Sequence, residues 1–171
     1  GNGSAAYYHL MVEAIKKSLL QRNRELRDPA RDNWDYLAAI EPFSIDQNQA
    51  MPWNELGQPA DTIWMAATDK QGRTACLMQS LFHDFGSGCM IGDTGILWSN
   101  RAAGFNQNPM HPNAWAPGRR PANTLNPSCY LADNGQQMFF GSQGGDGQPQ
   151  TQLILATQLV DFQQSIEEAL N

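Results

Sequence analysis

Thr62, Ser80 and the paired glycines Gly144 and Gly145 are the residues whose types and surroundings could do chemistry in this sequence. Thr62 follows Asp61 directly and opens the apolar run Ile63 to Ala67. A threonine hydroxyl is a weak nucleophile until a neighbouring base takes its proton. An α-amine titrates near neutrality, so a threonine freed by cleavage of the Asp61–Thr62 bond would carry its own base. The bland alternative is a threonine that merely starts a strand. The stretch GSQGGDGQPQTQ, residues 141–152, turns through Gly144, Gly145 and Gly147 between two more regular segments. Successive N–H groups in such a turn can face one point, which suits an anion or the oxyanion of acyl transfer. No Gly-Lys-Ser/Thr follows, so a phosphate-binding P-loop is disfavoured, and a plain glycine-rich turn stands as the alternative. Gly86, Gly88 and Gly92 give a GSGxxxG spacing, but strand-like GDTGILW follows where a dinucleotide fingerprint requires a helix.

Elements must hold these residues in place. Ser4 can cap a helix from Ala5 to Arg27, with Tyr8, Met11, Val12, Ile15, Leu19 and Leu26 near helical spacing. Glu13, Lys16, Lys17, Arg22 and Glu25 fall largely on its other faces, and Asp28-Pro29 ends it. A short helix is expected over Tyr36 to Ile40, then a mobile surface loop from Pro42 to Ala60. Strands are expected at 62–68, 74–82 and 94–99, and a loop rich in Asn, Pro and Gly covers 100–127. A hairpin follows over 128–133 and 136–141, turning at Asp133-Asn134-Gly135. A last helix over 150–169 should place Leu153, Ala156, Leu159, Val160 and Ile166 toward the core. Helices flanking a run of antiparallel-looking strands predict a layered α+β domain.

The 171 residues suit one domain with a real core, and the formal net charge of −6 makes nucleic acid and anionic membranes poor partners. No apolar run approaches a membrane span. Cys76, Cys89 and Cys129 lack CxxC spacing and are expected as buried, reduced thiols. His9, His83 and His111 form no metal-ligand pattern, so neither a metal nor another cofactor is expected. The start Gly-Asn-Gly-Ser, without an initiator methionine, suggests a piece of a longer protein and leaves the compartment open.

Taken in order, the pieces resemble the γ-glutamyltranspeptidase (γ-glutamyltransferase) family of N-terminal nucleophile hydrolases, proenzymes that mature by self-cleavage. YYHLMVEAIKKSLLQRNRELRDP is similar to that family's HlxxEAmKxAfadRxxylgDP segment. ATDKQG, FGSG, GDTGILWSN, RRPANTLNP and GSQGGDGQPQTQ are similar to VVDKDG, FGSG, GxGILLNN, KRPLSSMSP and GSPGGSRI. The resemblance implies an αββα sandwich, truncated here. It also implies a large-subunit segment over 1–61, a small-subunit catalytic segment from Thr62 to Asn171, and cleavage between Asp61 and Thr62. Thr62 then matches the nucleophile, Ser80 the second hydroxyl that assists it, and Gly144 and Gly145 the oxyanion-hole pair. The implied partners are a small-molecule amide, water or an amine acceptor, and the rest of the large subunit.

The departures concern substrate. Phe82, Arg101 and Gly104 stand where the family binds a glutamyl α-amino group through an asparagine, a glutamine or glutamate, and an aspartate. Asn123 and Thr124 replace its serine pair, and Ile63 replaces the threonine after the nucleophile. A site without the carboxylate that pairs the substrate ammonium should lose several kcal/mol toward γ-glutamyl compounds. Arg101 instead favours an acidic acyl group. The expected activities are therefore γ-glutamyl transfer or glutathione hydrolysis, or hydrolysis of another acidic amide in the manner of cephalosporin acylases or oxamate amidohydrolases. A binding or assembly domain that never cleaves, or an uncleaved inactive fragment, completes the alternatives.

Overall fold

The computed structural model describes residues 1–38, 43–52 and 60–170. Helix α1 spans Ala5–Glu25, and Ser4 caps it by accepting a hydrogen bond from the Tyr7 N–H at 3.2 Å. It ends at Glu25 rather than Arg27, because Leu26 already has extended backbone on the approach to Asp28-Pro29. Glu13 is buried, contrary to its expected outward face. Its carboxylate accepts from Lys16 Nζ at 2.7 Å and from the Met51 N–H at 2.9 Å. Met51 O in turn accepts from Lys16, Ser44 O from Lys17, and Asp46 O bonds His9 Nε2. Residues 43–52, expected as part of a mobile loop, are thus clasped to α1. Tyr36–Ala38 form a turn closed by Asp35 Oδ1; residues 39–42 of the expected short helix and loop, and 53–59 of that loop, lie outside the described residues.

Strands β1 (Thr62–Thr68) and β2 (Thr74–Ser80) pair antiparallel, with Thr62 opposite Ser80 and Trp64 opposite Met78. β2 stops at Ser80 because Phe82 takes a left-handed φ of 78°, a conformation that breaks a strand. Because side chains alternate, one face of the hairpin carries Thr62, Trp64, Met78 and Ser80, and the other carries Ile63, Met65 and Leu77. The first face is turned inward, with Met78 buried. The second is solvent-exposed, with Ile63 53% and Leu77 56% accessible.

β3 (Ser128–Leu131) and β4 (Gln137–Phe140) form a second hairpin, turned at Asn134-Gly135 as expected. The Trp64 ring lies against Gly141 just past β4; a Cβ at 141 would sit 2.4 Å from Trp64 Cδ1. That close approach joins the two hairpins and admits only glycine. The expected strand at 94–99 does not form. Gly92 and Gly95 take left-handed φ values of 48° and 73°, and residues 89–98 close on a single Met90–Leu97 bridge.

Helix α2 runs over Gln148–Ala156, widens into a π-turn at Thr157–Asp161, and is followed after a break by α3 (Ile166–Leu170). Gln163, with a φ of 55°, interrupts what the sequence predicts as one helix. The buried side chains of this region are Gln148, Gln152 and Gln158, whereas the expected core aliphatics are half-buried and Ile166 is exposed. Gln152 accounts for this polar packing: it accepts from Ser128 Oγ and donates to Asn126 Oδ1, tying α2 to the start of β3. Cys89 and Cys129 are exposed and Cys76 is half-buried, correcting the expectation of buried thiols. The chain is a mixed α+β partial domain. Its described residues hold two separate two-stranded sheets and a contact of α1 with α2, rather than a complete four-layer sandwich.

Candidate functional site

Cross-strand pairing brings Thr62 and Ser80 together at the open end of the first hairpin. Ser80 Oγ donates to the Asp61 carbonyl oxygen at 2.6 Å. The same Oγ accepts from the Phe82 N–H at 2.9 Å, which fixes the rotamer. Thr62 Oγ1 accepts from Gln148 Nε2 at 3.3 Å. Thr62, Ser80, Asp61 and His83 line an open hollow of about 720 Å³.

Gln148 follows directly on the glycine turn. Gly144 and Gly145 have φ values of 114° and 54°, and a 3-10 turn over Gly145–Gly147 runs straight into α2. The first N–H groups of such a turn lack intrahelical acceptors. Gln148, three residues beyond Gly145, reaches Thr62 with its side chain and so links the end of the turn to the hydroxyl. Asp146 within the turn accepts from Arg22 Nη1 of α1 at 2.7 Å.

Phe82, Arg101, Gly104, Asn123 and Thr124 all line one cavity of about 530 Å³, together with Asp146. The Arg101 guanidinium stacks 3.7 Å from the centroid of the Phe82 ring and donates to Thr124 Oγ1 at 3.2 Å. Burial lowers its pKa from the ordinary arginine value and the charge of Asp146 opposes that shift, but a guanidinium stays cationic at neutral pH. It also donates to a carbonyl, Ala122 O, and among the described residues no carboxylate is bonded to it. Gly104 is closely packed: a Cβ there would lie 2.8 Å from Ala122 O. Buried Asn113 bridges that contact, donating to Gly104 O and accepting from the Ala122 N–H.

Among the described residues, the hollow and the cavity have no lining residue in common and are linked only through neighbours in the chain. The Phe82 backbone is bonded to Ser80 while its ring lines the Arg101 cavity, and Asp146 joins that cavity to the glycine turn. The left-handed backbone at Phe82 is strained for an aromatic residue and turns the ring away from the strand. Gln148, Asp146 and Arg22 were not singled out from sequence. The available signal for Gln148 was its place at the end of GSQGGDGQ, where the similar family segment GSPGGSRI has isoleucine.

This mixed α+β partial domain matches part of a fold known from solved structures. The family profile of Gamma-glutamyltranspeptidase matches residues 1–171, and the chain belongs to that family. It is 42% identical over 159 residues to the oxamate amidohydrolase proenzyme of Klebsiella pneumoniae, covering 89% of this chain and 30% of that protein. It is 34% identical over 176 residues to the glutathione hydrolase-like YwrD proenzyme of Bacillus subtilis, covering 99% and 34%. Among solved structures, cephalosporin acylase from Bacillus halodurans superposes with a TM-score of 0.75 at 25% identity, over 99% of this chain and 32% of that one. The chain spans about a third of the length of the curated relatives it matches.

Proposed function

We propose that the family-length protein is an amidohydrolase whose nucleophile is Thr62, freed by cleavage of the Asp61–Thr62 bond, and whose substrates are small amides with an acidic acyl group. The observation that carries this reading is the hydrogen bond from Ser80 to the carbonyl of the bond to be cut. A donor on that oxygen withdraws electrons from the carbonyl carbon and stabilises charge as it develops there. In self-cleavage Thr62 Oγ1 bonds that carbon, the C–N bond breaks, and the hydroxyl proton moves to the leaving nitrogen. Water then hydrolyses the ester, leaving an Asp61 carboxylate and a free Thr62 with its α-amine.

In turnover the α-amine takes the Oγ1 proton as Oγ1 bonds the substrate carbonyl carbon, and the carbonyl π electrons move onto oxygen. The Gly144 and Gly145 N–H groups serve as donors for that oxyanion. Collapse expels the amine, which takes the proton, and water or an acceptor amine releases the acyl group by the reverse sequence. Residues 1–61 and 62–171 become two segments of one αββα domain, whose exposed Ile63–Met65–Leu77 face is covered by the remainder of the large subunit.

Arg101 supports an acidic acyl group, since a partly desolvated cation favours a carboxylate delivered by substrate. Gly104 argues against a γ-glutamyl clamp. An aspartate at 104 would force its Cβ into Ala122 O, so the ammonium-binding carboxylate is sterically barred as well as absent. The identity to an oxamate amidohydrolase points the same way. Glutathione hydrolysis is the second reading, favoured by the relative named as glutathione hydrolase-like. Intact-mass analysis of the family-length protein, then kcat/KM on oxamate, glutaryl amides and γ-glutamyl-p-nitroanilide, tests both. Cleavage before Thr62 with preference for the acidic amides is expected. An uncut yet active protein overturns the nucleophile assignment, and a γ-glutamyl preference overturns the substrate class.

A further inference from the structure

Gln148 is the one large side chain with essentially no solvent exposure among the described residues. Burying a carboxamide is costly unless both ends are bonded, because an unpaired buried acceptor forfeits its hydration. Among the described residues only one end is bonded. Nε2 donates to Thr62 Oγ1, whereas Oε1 is buried without a partner. A methionine or leucine would fill the same volume without that cost, so packing does not account for a glutamine.

We propose that Gln148 is the positioning residue of the nucleophile: Nε2 orients the Thr62 hydroxyl, and the unpartnered Oε1 accepts from the α-amine that cleavage at Asp61–Thr62 creates. This rests on Thr62 being the nucleophile. In the uncut chain the Thr62 nitrogen is an acylated amide with a single N–H. Cleavage replaces it with an amine that has additional N–H donors and greater freedom to rotate. Its new hydrogens need acceptors, and the orphaned oxygen belongs to the carboxamide already touching the same residue. With one lone pair of Oγ1 engaged by Nε2, the hydroxyl hydrogen is directed away from Gln148. With one amine hydrogen held by Oε1, the amine lone pair is free to receive that proton. The glutamine is thus satisfied at one end before maturation and at both ends after it.

The experiment uses the family-length protein, with Gln148→Met and Gln148→Glu, and reads cleavage by mass, folding by melting, and kcat and KM across pH. Gln148→Met, similar in volume, should lower kcat at least about tenfold with little change in KM, since it removes both hydrogen bonds that the mature Gln148 makes to the hydroxyl and the amine of the reacting residue. It should also move the acidic limb to lower pH, because an acceptor for the ammonium form is gone. Gln148→Glu places a carboxylate beside the amine, favours its protonated form, and should move that limb up by about one pH unit or more. Folded, cleaved variants with the wild-type kcat and pH profile overturn the proposal while leaving the function intact. An active wild type that never frees Thr62 overturns both. Should the variants fail to fold, the wild type still decides: the Gln148 side-chain amide protons, followed by 15N-edited NMR, should shift as the Thr62 amine titrates. Signals constant across that titration overturn the proposal.

Discussion

The Thr62–Ser80 end of the first hairpin and the Arg101 cavity are built in opposite ways. The first rests on a regular ladder, in which each residue from Thr62 to Thr68 faces a partner from Thr74 to Ser80. Register alone decides that Thr62 meets Ser80. The second is assembled from a 3-10 turn, a strained phenylalanine and loop residues 122–124, held by side-chain bonds to backbone such as Asn113 to Gly104. A ladder fixes positions cooperatively, whereas loops admit exchange of one lining residue at a time. The contrast teaches that the nucleophile's setting and the substrate's setting are separable, and that substitutions at one should spare the other.

The largest effect should come from Thr62→Ala, which removes the reacting oxygen. Cleavage and acyl transfer should both vanish, by at least about 10³-fold in kcat, and mass analysis should show one intact chain. Next is Gly144→Ala. Nothing lies within 4 Å of the added Cβ, but a φ of 114° is open essentially to glycine alone, so the backbone must rotate and the turn's amides lose their aim. A fall of about 10²–10³ in kcat is expected, with KM changed far less. Gly145→Pro would be a poorer probe, because proline cannot take the φ of 54° found there. Arg101→Gln should sharpen the comparison from the other side, lowering kcat/KM on acidic amides about 10–100-fold while leaving neutral amides and self-cleavage unchanged. Equal loss on neutral amides would show that the two regions are coupled.

The smallest effect concerns the frame between them. Asp28 is held at a pKa of about 2, below its usual 3.8, first by the Arg120 N–H and then by the Arg120 guanidinium. Its folded pKa is depressed, so its contribution is present above pH 3.8 and is lost as pH falls toward about 2. Asp28→Asn should lower the melting temperature by a few degrees at neutral pH and flatten the acid limb over that window.

The two regions also differed in how much of them could be read from sequence. The pairing of Thr62 with Ser80 follows from a hairpin whose turn at Asp69–Gly72 fixes its own register locally, whereas the roles expected of the two residues rest on the family resemblance. The left-handed backbone of Phe82 and the burial of Gln148 were not legible, since each depends on neighbours distant in the chain. The false strand at 94–99 has the same cause in reverse: its apolar residues read as β-structure, but Gly92 and Gly95 bend the chain before a ladder can form. The long C-terminal helix was overextended because periodicity does not see the π-turn at Thr157–Asp161. Polar side chains misled the core assignment as well. Glu13, Gln148 and Gln152 are buried because specific partners reach them, and no hydropathy pattern encodes a partner.

The contacts that span the Asp61–Thr62 boundary bear on what a cut would leave behind. Asp28 grips Arg120, Asp32 binds Arg119 at 2.9 Å, Arg22 holds Asp146, and the Tyr7 hydroxyl meets Thr157. All join the segment before residue 61 to the segment after it. Severing the backbone would therefore change the covalent count without dispersing the pieces, which would migrate together in native gels and separate only in denaturant. Reassociation would depend on dilution, since the linkage that had kept the partners at high effective concentration is gone. Three of these four contacts are ionic, so added salt should loosen the nicked pair more than the unbroken chain.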